Sequence, residues 1–480
     1  MKVAHRRDQR KGMAGELETA QGSEIDPDFH LLSRTTFGVR PGDLAHVREV
    51  GRDAWIDAQL DPDRIDDRIC SLMARRFESV AARPGAAYEF KRPVLRREMV
   101  RHCLIRSVHS RRQLFEVMCG FWTDHLNISL EKGDCIYLKP SDDRLVVRTH
   151  ALGRFQDMIR ASVTSPAMLF YLDGRDNRVR AGTDDVPNEN YARELLELHT
   201  MGAGNGYTQS DVFEAARCLS GWRLKTDGFR RGRVWFDPTR HDDGEKTVLG
   251  EKIRAGGGES DTDRLVEIVC RRPETVRYVC RKLCTYLVAP DPPENLVRAA
   301  VDEFVSTGGQ IAKVVRVILL HEDFGIAPGS LLKRPMRLVA SAIRGCGGQV
   351  HAENNRVIAA LERMGQPLFQ YPTPDGYPVE ELPWLGTLLW RWNLGLGLAG
   401  GRVGDLAGDL GAFHRSLGKT TSQDGPNPAR LFAHLCGRMP NPEELDALTS
   451  FAEDVADQPE NERDQALIGL TMATPAFQMF

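Results

Sequence analysis

The stretch NENYARELLELHTMG at residues 188–202 carries two Asn, three Glu, one Arg and one His. On a helix that turns about 100° per residue, Asn190, Arg193, Glu194 and Glu197 fall on one side. Two carboxylates and a carboxamide at this spacing could bind a divalent cation, or hold one carboxyl group protonated beside another for acid–base chemistry. The alternative is a solvent-facing polar stripe in which Arg193 balances Glu197 at i,i+4.

A second polar group lies in FWTDHLNIS, at the end of a predicted helical run that begins around Arg96. Asp124, His125 and Asn127 could form the edge of a pocket, because backbone carbonyls are unpaired at a helix terminus. His125 is then a candidate for proton transfer and Asn127 for substrate binding. Two aromatic residues precede this group, so a packing histidine is the alternative.

The segment HDDGEKT places three potential ligands, His241, Asp242 and Asp243, before a glycine that frees the backbone. Lys246 could neutralise a bound anion such as phosphate or carboxylate. This pattern is typical of a binding loop. A polar turn that caps the next element is the alternative.

The loop TPDGYP begins as a turn, with Pro374 at its second position and Gly376 supplying a positive φ. Because a proline-stiffened loop holds its side chains at little entropic cost, Asp375 could point into a cleft and contact a substrate.

Several common enzyme signatures are missing from the sequence. GxxxxGK[ST], HExxH, GxSxG and GxGxxG do not occur in an appropriate context. The 64 basic residues are balanced by 67 acidic ones, and no long run of one sign occurs. We therefore expect no nucleic-acid partner and no membrane partner.

The beginning of the sequence is basic and contains Arg6-Arg7, but no apolar segment of roughly 7 to 15 residues follows, as a signal peptide requires. No stretch approaches the roughly 18 uninterrupted apolar residues of a membrane span. Ten cysteines without an export signal indicate reduced thiols, and Cys280 and Cys284 are expected to pack in the core. These features predict a soluble, cytoplasmic protein.

Helix start and stop signals recur along the chain, whereas alternating strand patterns are scarce. Capping-box patterns begin predicted helices at Thr208 and Asn441, and Pro273 fits the first turn of another. We predict a mostly α-helical fold with one large helical domain over residues 28–480. A short β-hairpin or irregular insertion is expected near 223–258, with a turn at Asp227-Gly228. Residues 1–27 are predicted to form a disordered tail, and a C-terminal helical subdomain could begin at about residue 379.

Six motifs in fixed order resemble the bacterial family called domain of unknown function 1800 (DUF1800): FHLLSRTTFG, FWTDHLNIS, PNENYARELLELHTMG, GYTQSDVFEAARCLSGW, HDDGEKTVLG and GQPLFQYPTPDGYP. The resemblance runs from about His30 to the terminal PAFQMF. It implies a large, mainly helical bacterial protein. Members of this family are often exported, but no signal peptide is predicted in this sequence. They often occur beside a second family with an alkaline-phosphatase-like fold, which is therefore a candidate partner.

Together these patterns favour an enzyme whose pocket is formed by the 188–202 helix, the end of the His125 helix and the HDDGEK loop. We expect metal-assisted hydrolysis or group transfer on a small molecule or peptide, with a divalent metal ion as cofactor. An oxidation that uses a non-haem metal is the less favoured alternative. The predicted catalytic residues are Glu194, Glu197, His125 and His241; the predicted metal ligands are Glu194, His241 and Asp242; the predicted substrate-binding residues are Asn190, Arg193, Asn127, Lys246 and Asp375. One alternative is a non-catalytic accessory or binding protein that works with a neighbouring enzyme. Another is a glycoside hydrolase that uses a pair of carboxylates without metal.

Overall fold

The computed structural model describes residues 24–180, 183–228, 230–350, 355–400, 413, 417 and 427–480. In these ranges the chain is mostly α-helical, as the sequence predicts, with two small antiparallel sheets. The predicted tail lies outside the described residues as far as residue 23. The first helix begins at Pro27.

The helices as far as His125 are α1 Pro27–Thr35, α2 Asp43–Val50, α3 Arg52–Leu60, α4 Arg68–Ala74, α5 Glu78–Ala81, α6 Pro84–Ala87, α7 Arg92–His109 and α8 Gln113–His125. The helices from there to the middle of the chain are α9 Cys135–Asp142, α10 Phe155–Val163, α11 Pro166–Tyr171, α12 Asn190–Glu194, α13 Gln209–Cys218, α14 Ser260–Cys270 and α15 Pro273–Leu287. The later helices are α16 Glu294–Thr307, α17 Ile311–Leu320, α18 Pro335–Gly345, α19 Asn355–Arg363, α20 Leu382–Leu385, α21 Leu388–Ala399, α22 Pro428–Cys436, α23 Pro442–Asp454, α24 Glu460–Ala473 and α25 Pro475–Gln478. Short 3₁₀ turns cover Pro62–Arg64, Gly174–Asp176, Pro238–Arg240 and Glu322–Gly325, and π-helical turns cover Asp143–Arg148 and Leu195–Thr200.

Helix starts follow the local signals in the sequence. The Thr208 hydroxyl accepts a hydrogen bond from the Asp211 amide, and the Asp211 carboxylate accepts one from the Thr208 amide, so the predicted capping box of α13 is confirmed. Asn441 starts α23 in the same way. Pro273 is the first residue of α15, where its missing N–H costs no hydrogen bond.

The single helical run predicted from Arg96 to His125 is wrong, because the structure has two helices, α7 and α8. Ser110 takes an extended backbone conformation after α7, and its hydroxyl donates a hydrogen bond to Asp67 at 2.9 Å. The side-chain amide of Gln113 donates to the carbonyl oxygens of Ser107 and Ser110 at 3.1 and 2.8 Å. These bonds satisfy polar groups at the break and stabilise a sharp turn.

The helix predicted for 188–202 is also more complex than a regular α-helix. After α12, residues Leu195–Thr200 form a π-helical turn, in which the Thr200 hydroxyl donates to the Leu195 carbonyl at 2.6 Å. A π-helical turn advances each side chain by less than the α-helical 100° and is frequent at functional sites. Glu197 and His199 therefore point in directions that a regular helix does not predict.

The predicted hairpin in the 223–258 region is confirmed. Strand β1, Trp222–Leu224, pairs antiparallel with β2, Val234–Phe236. A second hairpin, which the sequence analysis does not predict, joins β3, Lys246–Val248, to β4, Glu251–Ile253. Its turn residues Leu249 and Gly250 both have positive φ, 51° and 80°, as a type I′ turn requires. Leucine is not a typical residue for that position, which explains the missed turn.

A continuous cluster of buried apolar side chains runs through the described residues, from Leu31 in α1 to Phe477 in α25. A smaller cluster joins Leu332, Tyr377 and Trp384. Because Tyr377 belongs to the TPDGYP loop, this smaller cluster anchors that loop. In the described ranges, no helix combines the length and the apolar character that crossing a membrane requires.

Candidate functional site

Glu194, at the end of α12, is a half-buried carboxylate that forms no hydrogen bond or ion pair with any described residue. Burial raises its pKa above the ordinary value, and the nearby carboxylates of Glu197 and Asp375 raise it further, against an opposing effect of Arg193. A carboxyl group with this environment retains its proton to higher pH than a solvated glutamate does. Glu194 therefore has the properties of a proton donor.

Two other polar residues of this helix, Asn190 and Arg193, have partners within the protein. Arg193 forms ion pairs with Glu189 at 3.0 Å and with Glu197 at 3.5 Å. The side-chain amide of Asn190 donates to the Leu172 carbonyl at 3.0 Å. Arg193 and Asn190 thus stabilise the local structure. The ion pair between Arg193 and Glu197 is the one that the alternative of a solvent-facing polar stripe predicts.

His125, the last residue of α8, is buried between aromatic rings and contacts the π-helical turn. Its Nε2 lies 3.0 Å from the carbonyl oxygen of His199, and its Nδ1 lies 3.1 Å from Nζ of Lys282. Burial, followed by the charge of Lys282, holds the pKa of His125 well below its ordinary value. The imidazole is therefore neutral. Nε2 of His199 is itself buried and lacks a hydrogen-bond partner among the described residues.

Lys282 in α15 is a residue that the sequence analysis does not single out. Burial lowers its pKa to about 8, although the carboxylates of Asp124, Asp375 and Glu380 partly oppose this shift. Its Nζ lies 5.3 Å from the ring centroid of Tyr278, one turn earlier. A lysine with a pKa near neutrality can take up and release a proton under physiological conditions.

The TPDGYP loop is held over this region by side chains from other elements. The Asn127 amide donates to the carbonyl oxygens of Tyr371 and Thr373 at 3.1 and 2.7 Å, and the Tyr171 hydroxyl donates to that of Pro372 at 2.8 Å. Asn127, a predicted substrate-binding residue, therefore positions this loop.

Gly376 allows the loop to approach the end of α8. Its φ is +75°, and a Cβ atom there would lie 2.1 Å from the carbonyl oxygen of Asp124. Arg334 strengthens the contact, because it forms an ion pair with Asp124 at 2.6 Å and donates to the Tyr377 carbonyl at 3.4 Å. The neighbouring Asp375 is exposed and interacts electrostatically with both Glu194 and Lys282.

The HDDGEKT segment forms a separate network with residues of α13 and α14. Nε2 of His241 lies 3.1 Å from the Asp261 carboxylate, and Nζ of Lys246 donates to the same carboxylate at 2.6 Å. All three side chains are almost fully buried. Asp242 forms an ion pair with Arg217 at 2.6 Å. These residues hold β3 against α13 and α14.

The structure thus brings together Glu194, Glu197 and Asp375, and it joins His125 to the same region through Lys282. The hydrogen bonds and ion pairs found for His241, Asp242 and Lys246 connect them to other elements. Among the residues with described positions, no group of three or more His, Cys, Asp or Glu side chains is arranged to hold a metal ion. The predicted ligand set of Glu194, His241 and Asp242 is therefore not assembled, and the metal stays a prediction.

Residues 30–479 match the family model described as "Protein of unknown function (DUF1800)". No curated protein and no solved structure matches the chain.

Proposed function

The chain belongs to the DUF1800 family, and because that family is described as being of unknown function, we propose a function from the site itself. We propose that the protein is an enzyme that catalyses hydrolysis or group transfer on a small molecule or peptide. Glu194 donates a proton in this reaction, and Lys282 accepts one.

The proposal is supported by Asp375, which is a common neighbour of Glu194 and Lys282. Asp375 interacts electrostatically with both, while burial moves the pKa of Glu194 up and the pKa of Lys282 down to about 8. Titratable groups whose environments shift their pKa values in this way are typical of acid–base pairs. Both shifts favour the neutral form, so the region offers a protonated acid and a free amine that share Asp375 as an electrostatic neighbour.

With a pKa of about 8, about one Lys282 side chain in ten is neutral at pH 7. That amine takes a proton from water or another nucleophile as it attacks the substrate, and protonated Glu194 gives its proton to the leaving group. His125 does not exchange the proton itself. Its Nδ1 accepts a hydrogen bond from Lys282 and orients the amine, so His125 is a positioning residue.

A metal-assisted form of this reaction is also a proposal. It needs ligands other than His241 and Asp242, because these pair with Asp261 and Arg217. Metal analysis of protein purified without chelator tests it. Stoichiometric metal that is lost in Glu194→Gln supports the metal-assisted form, whereas an active, metal-free protein supports acid–base catalysis by the side chains alone.

The proposal as a whole is tested by incubating a complex metabolite and peptide mixture with wild type, Glu194→Gln, Lys282→Met and Lys252→Met, followed by mass spectrometry. Lys252 is a matched control, because its side chain is 72% exposed. We expect at least one compound to be converted by wild type and Lys252→Met, and at least a hundredfold more slowly by the other two variants. Equal conversion by all four proteins contradicts the proposal.

A second candidate function, an accessory role beside another protein, is favoured by exposed apolar side chains. Leu389, Trp392 and Leu396 of α21 are 62%, 45% and 41% exposed, and their spacing places them on one face of the helix. The resemblance to DUF1800 suggests an alkaline-phosphatase-like protein as the partner. A titration with such a protein tests the role: saturable binding that Leu389→Ser weakens supports it, and the absence of binding contradicts it.

A cytoplasmic location is a further proposal. All ten cysteines are free, and nine of them are buried, as is common for proteins of a reducing compartment.

A further inference from the structure

A cavity of about 90 Å³ lies beside α8, on the side formed by α7, the π-helical turn Asp143–Arg148 and the start of α18. One face of α8 lines it, through Glu116, Cys119, Gly120, Thr123 and Asp124. The remaining wall is largely apolar and includes Phe37, Met99, Met336, Leu368 and Phe369. Neither Glu194 nor Lys282 is among the lining residues.

The cationic side chains that line this cavity already have acceptors within the protein. Arg148 binds both oxygens of Glu116, at 3.0 and 2.6 Å, and Arg334 pairs with Asp124 at 2.6 Å. Arg337 donates to backbone carbonyl oxygens in and after α1, at 2.7 and 2.9 Å. An anionic ligand would have to compete with these existing bonds.

One charged group in the lining lacks a partner. The Asp143 side chain faces the cavity, and the residue is 7% exposed. Its carboxylate forms no hydrogen bond or ion pair with any described residue. Burial raises its pKa above the ordinary value, although Arg148 and Lys139 oppose the shift. A buried carboxylate without a donor is unfavourable, and a ligand that supplies an N–H donor removes this cost.

We propose that this cavity binds a small organic ammonium ion. Its N–H group donates to Asp143, and its short hydrocarbon part packs against Phe37, Met99 and Phe369. A neutral hydrocarbon would leave Asp143 without a donor, and a carboxylate would meet arginines that are already bound. This inference does not depend on the proposed acid–base reaction.

The size of the cavity limits the ligand to a few heavy atoms. A cavity of about 150 Å³ in another protein accommodates benzene, so a probe smaller than benzene is appropriate here. We choose n-butylammonium, with butan-1-ol and butyrate as neutral and anionic compounds of the same length.

Binding of the three compounds to the full-length protein is measured by calorimetry and ligand-observed NMR, for wild type, Asp143→Asn and Asp57→Asn. Asp57 is a matched control, because it is a half-exposed carboxylate in a surface ion pair with Arg316. We expect wild type and Asp57→Asn to bind n-butylammonium at least tenfold more tightly than the other two compounds. Asp143→Asn is expected to lose this preference.

A second variant keeps the test decisive if Asp143→Asn does not fold. At Gly120, a Cβ atom would meet only Tyr286 and Phe37, at 3.7 and 3.9 Å, so Gly120→Ala is expected to fold and to place a methyl group in the cavity. It should weaken n-butylammonium binding while it preserves the preference for the cation. The proposal would be overturned if wild type does not bind n-butylammonium or binds the three compounds with equal affinity. It would also be overturned if Asp143→Asn keeps the preference for n-butylammonium.

Discussion

Nδ1 of His125 lies 3.1 Å from Nζ of Lys282, while Nε2 of the same ring lies 3.0 Å from the carbonyl oxygen of His199. A carbonyl oxygen can only accept, so Nε2 carries the ring proton and Nδ1 accepts from Lys282. Burial keeps the pKa of His125 well below its ordinary value. The histidine is therefore fixed in one neutral tautomer, and the amine of Lys282 is the group that titrates.

Replacing Lys282 with methionine is expected to stabilise the protein at pH 7. Burial lowers the pKa of this lysine from 10.5 to about 8, so at pH 7 the folded state holds an unfavourable charge that costs up to about 3 kcal/mol. We expect Lys282→Met to raise the free energy of unfolding by roughly 1–3 kcal/mol, as is common when a functional group is removed from a site. Guanidinium chloride unfolding measures this change, and Lys252→Met should have almost no effect.

The difference in the free energy of unfolding between wild type and Lys282→Met should depend on pH, because it results from the lowered pKa of Lys282. Because the folded-state pKa lies below the unfolded-state pKa, the cost is complete below about pH 8 and disappears as the pH rises to about 10.5. The stability of wild type should therefore approach that of Lys282→Met over this interval. A constant difference from pH 7 to pH 10.5 would show that Lys282 is not desolvated.

Removing the carboxylate of Asp261 is expected to be strongly destabilising. It accepts hydrogen bonds from His241 and Lys246, and all three side chains are almost fully buried. Asp261→Ala leaves a buried ammonium group without its carboxylate, so we expect a loss of about 3–5 kcal/mol in the free energy of unfolding. Asp263→Ala is the control. Asp263 pairs with Arg160 on the surface, so its loss should cost less than about 1 kcal/mol. Similar small effects of both substitutions would mean that the HDDGEKT network is not structural.

The contribution of Asp261 also has a defined pH dependence. Burial raises its pKa, but the hydrogen bonds from His241 and Lys246 outweigh burial and hold the pKa below the ordinary value of 3.8. Its stabilisation is therefore present at neutral pH and is lost as the pH falls below about 4.

Gly376→Ala should displace the TPDGYP loop. The residue has φ of +75°, and a Cβ atom would clash with the Asp124 carbonyl oxygen at 2.1 Å. We expect a loss of at least about 2 kcal/mol in the free energy of unfolding and faster amide hydrogen exchange at the non-proline residues of 371–377. Gly386→Ala, where a Cβ atom would meet nothing within 4 Å, should be neutral or slightly stabilising. If amide hydrogen exchange in Gly376→Ala equals that of wild type, the close contact between Gly376 and Asp124 is contradicted.

The helical fold and several helix starts could be predicted because their determinants are local. The capping box of Thr208 and Asp211 joins residues three positions apart, and the β1–β2 hairpin closes over a short segment. By contrast, the break at Ser110 depends on Asp67, which lies 43 residues away. Local patterns contain no information about such a partner.

For the same reason, the sequence could indicate only some residues of the candidate site. Glu194 stands out within its own helix, but Lys282 becomes notable only when Asp124 and Asp375 approach it from two other segments. The HDDGEKT segment resembles a ligand site because its partner Asp261 lies twenty residues from His241. Burial and pairing across distant segments decide which polar residues are structural, and sequence spacing does not reveal them.

Asp375 is expected to contribute to the site through its charge. It raises the pKa of Lys282 against the larger effect of burial, so Asp375→Asn should lower the pKa of this lysine below about 8. Glu362→Gln, a substitution on α19 that removes a carboxylate not found to influence Lys282, should leave the pKa unchanged. Equal pKa values in wild type and Asp375→Asn would show that the loop carboxylate lies too far from the amine to act on it.

The titration of Lys282 itself tests the acid–base site most directly. In protein labelled with ¹³C at the lysine ε carbon, NMR should show a resonance that titrates at about pH 8 and is absent from Lys282→Met. Buried Lys333, whose pKa burial lowers to about 7, should give a separate resonance that remains in Lys282→Met. If the Lys282 resonance instead titrates above pH 10, together with solvent-exposed lysines, the amine is not desolvated and the proposed proton acceptor is contradicted.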